Sequence, residues 1–267
     1  VNCIYNANAL DVLTTLGDES VDLVYTDPPF GTQSRQVMSR RSLGAIVSSV
    51  CYDDKHDDYM TFIRPHLVEL HRVLKKTGTL YIHLDTRWVH YVKVTLDEIF
   101  GREAFLNEVI WAYDFGGRGK RCWPKKHDTI LVYVKTPGEH VFNWDDVDKI
   151  PYMTPGLQKD AQRAKDGKVP TDVWWMSIVG TNSGERLGYP NQKPLKLVKR
   201  AVIASSPMGG IVLDPFAGSG TTGAAAHECG REFVLVDRSL SAIDVMKKRF
   251  VDVDVEYNTA FAHDECE

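Results

Sequence analysis

Five cysteines (Cys3, Cys51, Cys122, Cys229 and Cys266) are scattered through 267 residues, and none forms a C-x-x-C pair. That excludes a disulfide framework and a cysteine-based zinc site, and it fits a reducing cytoplasm. No apolar run approaches the ~20 residues that cross a bilayer, and the first residues lack a basic-then-apolar export signal, so a soluble, cytoplasmic protein is expected. Internal repeats and low-complexity tracts are absent. An excess of positive charge is also missing. Lys and Arg number 32 against 36 Asp and Glu, a net charge of −4, which at first sight argues against a nucleic-acid partner.

The location of the charge changes that reading. Six of the acids (Asp252, Asp254, Glu256, Asp264, Glu265 and Glu267) crowd positions 251–267, which hold no Lys or Arg, so positions 1–250 carry 32 bases against 30 acids, a body of +2. Two basic clusters stand out within that body: Arg35, Arg40 and Arg41, and then Arg118, Lys120, Arg121, Lys125 and Lys126 in a Gly-rich stretch. A basic surface for phosphates is available despite the acidic total. The 43% of hydrophobic residues suffice for one substantial core with room for a small insertion.

Short apolar runs at 3–5, 21–26, 79–84, 130–134, 211–213 and 233–236 read as strands. Between them, helical spacing predicts a helix through Leu10, Leu13 and Leu16 ended by Gly17, one over 56–76 ended by Gly78, and one over 88–100 ended by Gly101. Further helices are expected at 194–205, 220–229 and 241–250. The alternation predicts an α/β fold with a mostly parallel sheet. Residues 31–50 are polar, rich in Ser and Arg and aperiodic, so a long loop able to close over a substrate is expected there. Between 137 and 189, four prolines (Pro137, Pro151, Pro155 and Pro170) and the aromatics Trp144, Tyr152, Trp174 and Trp175 interrupt the alternation, and no element is predicted.

Two turns carry the chemistry. Asp214, Pro215, Phe216, Ala217, Gly218, Ser219, Gly220, Thr221 and Thr222 follow a strand and open a helix, the grammar of a nucleotide-type site in which glycines let backbone N–H groups approach a ligand. Asp237, 17 residues after Gly220 at the end of the next strand, stands where an acid in such folds binds ribose hydroxyls. The Gly-Lys-Ser/Thr ending of a P-loop is missing, which argues against ATP hydrolysis. The acid at the head of the loop suits a cofactor with ammonium and sulfonium groups. The second turn is Asp27, Pro28, Pro29 and Phe30 after the strand 21–26. An amine on adenine or cytosine is a poor nucleophile because its lone pair is delocalised into the ring. The Asp27 carboxylate and the Pro28 carbonyl can accept both amine hydrogens and localise that pair, the prolines fix the turn, and Phe30 offers a stacking face to a base flipped out of the duplex. Together the turns point to methyl transfer onto a base amine.

With these motifs the chain resembles the beta-class DNA amino-methyltransferases, the S-adenosylmethionine-dependent family that acts on adenine N6 or cytosine N4. The similarity includes TDPPF at 26–30, KHDTILVYVK at 126–135, GERLGYPNQKP at 184–194, DPFAGSGTT at 214–222 and FVLVD at 233–237. It implies a permuted Rossmann-like methyltransferase sheet, with the catalytic turn before the cofactor loop. The implied division is an N-terminal catalytic part at 1–139, a target-recognition insertion at 140–185 and a C-terminal cofactor-binding part at 186–267. It also implies that Gln192, Lys193 and Pro194 lie near the methionine end of the cofactor. The partner implied is double-stranded DNA, with a homodimer and a companion restriction endonuclease left open. Aspartate followed by Phe fits adenine, since cytosine enzymes more often carry Ser at the head of the turn; cytosine N4 and a catalytically silent DNA-binding module of the same fold are the alternatives. Where the family often has Gly-Asp after the first strand, this chain has Ala7 and Asn8.

Five other positions attract attention. His83 and Asp85 follow a strand and could reach the site, but they read better as a core histidine and the N-cap of the helix at 88. Trp111 reads as core. Trp174 and Trp175 read equally as packing between lobes and as base readers.

Overall fold

The structure, a computed structural model, describes residues 1–29, 58–117 and 119–259, together with the backbone of two strands within 35–53. In chain order the elements are β1 (Cys3–Tyr5), α1 (Ala9–Thr15), β2 (Val21–Thr26), β3 (Arg35–Ser42), β4 (Ala45–Asp53), α2 (Tyr59–Val73), β5 (Leu74–Leu84), α3 (Val89–Phe100) and β6 (Phe105–Ala112). They continue with β7 (His127–Val134), α4 (Ala161–Asp166), β8 (Val173–Trp175), α5 (Leu195–Ser205), β9 (Ile211–Asp214), α6 (Thr221–Glu228), β10 (Glu232–Val236), α7 (Leu240–Arg249) and β11 (Glu256–Asn258). Among the described residues, nine strands form one sheet in the order β11-β1-β10-β9-β2-β5-β7-β6-β8. Only β7 runs antiparallel to its neighbours.

The sheet is covered on both faces, which explains why its central strands are unbroken apolar runs. In β2, Leu23 and Tyr25 join a core made with α5, α6 and α7, while Val24 joins a second core made with α1, α2 and α3. Burial of both faces holds the strand ends, and the turns that follow them, in fixed places. Helix α2 starts at Asp58, whose side chain accepts from Met60 N at 3.1 Å and Thr61 N at 3.3 Å. No helix among the described residues is long and apolar enough to cross a membrane.

Several expectations need correction. Where 31–50 was expected to be an aperiodic loop, Arg35–Ser42 and Ala45–Asp53 form strands β3 and β4, which pair antiparallel outside the main sheet, with Val37 opposite Cys51 and Met38 opposite Val50. The Ser and Arg content masks a strand-forming set, Val37, Ile46, Val47, Val50 and Tyr52, that shows no clean alternation. Gly78 does not stop α2, which ends at Val73, and β5 runs straight through the glycine. A Cβ there would lie 2.8 Å from Leu74 Cδ2 and 3.2 Å from Asp22 O, so Gly78 serves close strand contact. Asp85 does not cap α3 with its side chain: it accepts from Arg87 N at 2.9 Å and pairs with the Arg87 guanidinium, and Trp88 occupies the cap.

Three strands of the main sheet, β6, β8 and β11, had no counterpart in the sequence pattern. β11, in the acidic tail, pairs with β1 at one edge, and β8 pairs with β6 at the other, Trp111 opposite Trp174 and Ala112 opposite Trp175. The period of two in β8 separates its tryptophans. Trp174 is buried, donates from Nε1 to Thr171 O at 2.8 Å and has the Arg200 guanidinium 5.0 Å from its ring, whereas Trp175 is 75% exposed. Trp111 and His83 are core residues as expected, His83 Nε2 lying 3.2 Å from Asp128 Oδ2 and its ring edge-on to Trp111. The segment 140–185 is tied to the main body by the paired Arg200 and Asp148 (2.7 and 2.8 Å) and by Asn143, whose side chain donates to Ile203 O and Ser206 O.

Candidate active site

Strands β10, β9 and β2 lie side by side and parallel, so Asp237 after β10, Asp214 at the end of β9 and Asp27 after β2 emerge together at one edge. From β9 the chain proceeds to β10 on one side, and from β2 to its other neighbour, β5, on the opposite side. The crevice between β9 and β2 is thus a topological switch point, where open α/β sheets bind ligands. A cavity opens there. It is lined by Asp27, Pro28 and Pro29 from the first turn, by the second loop from Asp214 to Ser219 with Thr221 and Thr222, by Asp237, and by Gln192 and Lys193.

The Gly-rich loop is built by its two acids. Asp214 accepts from Phe216 N at 3.0 Å and from Thr222 Oγ1 at 2.6 Å, closing the turn from head to helix. Burial pushes the Asp214 carboxyl up to about 7, the negative charge of Asp27 adding to the effect while the Thr222 and Phe216 hydrogen bonds oppose it. Asp237 accepts from Gly218 N and Ser239 N, both at 2.8 Å, and burial raises its carboxyl as well. Gly218 has φ 51 and supports the Tyr189 ring, which a Cβ would meet at 3.0 Å. Gly220 lies outside the cavity lining; at φ 72 its missing side chain admits Met246 and Phe250 of the α7 end, 2.8 and 3.1 Å from where a Cβ would stand.

The segment 184–194 is a self-bonded clasp. Gln192 donates to Glu185 O at 2.7 Å and accepts from Leu187 N at 2.9 Å, and the Glu185 carboxylate accepts from Leu195 N at the start of α5. Pro194, outside the lining, is the N-cap residue of that helix. What the clasp presents is Lys193. Its ammonium is 2.6 Å from Asp27 Oδ2, with the lysine 9% exposed. The other oxygen, Asp27 Oδ1, is buried with no hydrogen-bond partner among the described residues. A carboxylate oxygen sequestered in that way costs about 1–3 kcal/mol unless a ligand donor reaches it. The next polar layer is Asp128, held by His83 and, at 3.3 Å, by Tyr113. Burial opposes its ionisation, but the hydrogen bond and charge of His83 and the charge of Lys193 outweigh it and keep the carboxyl below the ordinary value.

Sequence reasoning missed part of this wall. Phe62 and His66 of α2 line the cavity, with ring centroids 6.1 and 5.2 Å from Phe216; Phe62 counted only toward the helical pattern of 56–76, and His66 drew no reading. Asn8, where Gly-Asp is frequent in the resembling family, both lines the cavity and caps α1 by accepting from Leu10 N at 2.9 Å. Phe30 and Arg118 lie outside the described residues, as do the side chains of Arg35, Arg40 and Arg41 on β3. Lys120, Arg121 and Lys125 are exposed on the connection from β6 to β7, whereas Lys126 folds back to donate to Gly116 O at 3.0 Å. No cluster of residues able to hold a metal ion occurs among the described residues.

A half-buried acid at the head of a tight Pro-Pro turn, beside a Gly-rich loop on the adjacent parallel strand, defines an α/β enzyme that brings a nucleotide-type cofactor to an acceptor group. The chain belongs to the DNA methylase family of N6 and N4 methyltransferases, which matches residues 21–248. It is 31% identical over 252 residues to the type II methyltransferase M.HpaI of Haemophilus parainfluenzae, covering 94% of this chain and 74% of that one. It is also 31% identical to the DNA adenine methyltransferase YhdJ of Escherichia coli, over 96% of this chain and 84% of the relative. In fold it superposes on a DNA modification methylase of Thermus thermophilus crystallised with S-adenosyl-L-methionine, with a TM-score of 0.63 and 23% identity over 98% of this chain and all of that one.

Proposed function

We propose that the protein methylates adenine N6 in double-stranded DNA, using S-adenosylmethionine and a base flipped into the cavity. The observation that carries this reading is Asp27 Oδ1, buried and without a partner among the described residues at the meeting point of the two turns. An exocyclic amine donating to it and to the Pro28 carbonyl would gain nucleophilic character at nitrogen without a general base. Bound S-adenosylmethionine supplies the electrophilic methyl group. The residues present fit that cofactor: Asp214, raised by burial, has no cationic partner among the described residues, Asp237 and the Gly218 turn offer a polar cradle, and Phe62, His66 and Phe216 form an aromatic wall. Phe30 is assigned to stacking on the base, and residues 140–185 to target recognition. Digesting DNA methylated by the protein to nucleosides tests the reading: N6-methyl-2′-deoxyadenosine is expected, and N4-methyl-2′-deoxycytidine would move the substrate to the other amine. The relatives' type II names support a companion endonuclease of the same target sequence. Assembly as a homodimer belongs to the same reading, and sedimentation tests it.

The raised Asp214 carboxyl makes cofactor affinity depend on pH. Below about 7 the acid is protonated in the free protein, and a bound cation favours its ionised form, so binding releases a proton. Affinity for S-adenosylmethionine is expected to climb between about pH 5.5 and 7.5, by up to about tenfold per unit, and then to level off. Asp214→Asn should flatten the profile. The free protein shows the opposite trend: an acid whose folded value exceeds its unfolded one costs stability progressively as pH rises from about 4 to about 7. Calorimetric titration in buffers of different ionisation enthalpy measures the proton release; a flat profile for the wild type contradicts the assignment.

Lys120, Arg121 and Lys125 are assigned to phosphates. Neutralising all three should weaken binding to every DNA sequence alike and reduce the log-log salt slope by about 0.9 per lost contact on duplex DNA. Affinity measured at several salt concentrations checks this, and an unchanged slope identifies them as a solvated face.

A further inference from the structure

Tyr25 is a buried hydroxyl that the mechanism above leaves unused. It sits on β2 beside Tyr81 of β5, with ring centroids 6.2 Å apart and planes 21° apart, and it is 1% exposed. The neighbour's hydroxyl is satisfied by Ser205 Oγ at 2.8 Å, whereas Tyr25 Oη has no hydrogen-bond partner among the described residues. The ring is clamped inside the core, so the hydroxyl cannot swing to find one. Tyr25 is nevertheless one of the residues that line the cavity, together with Asp27 and Asp214. Burial, then the charges of Asp27 and Asp214 and, more weakly, Tyr81 and Asp128, push the phenol well above its ordinary value, so it stays neutral.

That surrounding chemistry selects the partner. Asp27 and Asp214 line the cavity beside Tyr25 and attract a cationic N–H donor, while Lys193, in the same lining and paired with Asp27, offers a counter-charge to the carboxylate that an amino-acid group also carries. A neutral phenol oxygen can accept from such a donor without adding to the negative charge. We propose that Tyr25 Oη is a binding contact for the ammonium-bearing amino-acid end of the cofactor, an inference that rests on the cofactor reading above. An orphan hydroxyl held ready for a ligand is a local cost in the free protein, and the cost is removed when the ligand arrives.

The assignment therefore predicts opposite effects of one conservative change. Tyr25→Phe should raise the melting temperature of the free protein by about 2–4 °C, because the unmade hydrogen bond disappears. The same variant should bind S-adenosylhomocysteine about tenfold more weakly, a loss of about 1.4 kcal/mol. Binding of 5′-methylthioadenosine, which lacks the amino-acid end, should be unchanged. Thermal melts without ligand and calorimetric titration with the two nucleosides, all without DNA, provide the readouts. An unchanged S-adenosylhomocysteine affinity, an equal loss for both nucleosides, or a lowered melting temperature overturns the assignment. A wild-type protein that binds neither nucleoside overturns the cofactor reading, and the Tyr25 contact with it.

Discussion

Asp27→Ala is expected to lower the rate of methyl transfer by at least about 10²–10³-fold while S-adenosylmethionine still binds. The loss follows from the geometry of one side chain. Asp27 Oδ2 is held 2.6 Å from Lys193 Nζ, which fixes the carboxylate, and Oδ1 is left in the cavity without a partner among the described residues. No other described carboxylate offers an equivalent oxygen there, since Asp214 and Asp237 both spend their oxygens on the turns they build. Cofactor binding should survive because the loop at 214–222 is braced by its own acids. It should even gain slightly at neutral pH, since removing the charge of Asp27 lets the neighbouring Asp214 ionise more easily. Single-turnover rates and equilibrium affinity, measured on the same preparation, separate the two effects. Parallel loss of both would show that one turn serves both tasks.

Asp237→Ala should weaken cofactor binding by about 10- to 150-fold, the value of a charged hydrogen bond of about 1.5–3 kcal/mol. Its carboxylate accepts from Gly218 N and Ser239 N, so it fixes the Gly-rich turn against the start of α7, and it also lines the cavity where a ribose would be recognised. Truncation leaves two amide donors without their acceptor and relaxes the turn. Asp237→Asn retains one acceptor oxygen and should fall between alanine and wild type. Calorimetric titration of variants shown to be folded provides the measurement; an unchanged dissociation constant would confine Asp237 to a role in loop stability.

The elements that the sequence showed most clearly are those whose signals are local. Strands β2, β9 and β10 are short apolar runs closed by acid-bearing turns, and Gly101 ends α3 at φ 88 as a C-terminal glycine should. β8 and β11 carried no such signal. At three residues each they are too short for a period, and they exist because β6 and β1 present open edges to them. The hairpin of β3 and β4 was hidden by polar composition, and the tryptophan pair at 174–175 could be sorted only once β8 assigned its two sides. Gln192 and Pro194 were placed at the methionine end by resemblance; Gln192 lines the cavity and turns its hydrogen bonds to its own clasp, and Pro194 begins a helix outside the lining.

By itself, the sequence determined the α/β class, the two turns and the residues at their heads, because strand ends, proline turns and glycine-rich loops are specified by neighbours a few residues apart. The tertiary structure decided which strands are adjacent and therefore which distant side chains meet. The pairing of β9 with β2 brings Asp214 beside Asp27, and the clasp at 184–194 brings Lys193 onto that same carboxylate. That the oxygens of Asp27 and Tyr25 find no partner among the described residues is likewise a property of packing, since whether a polar atom is satisfied depends on everything that surrounds it rather than on the residues next to it in the chain.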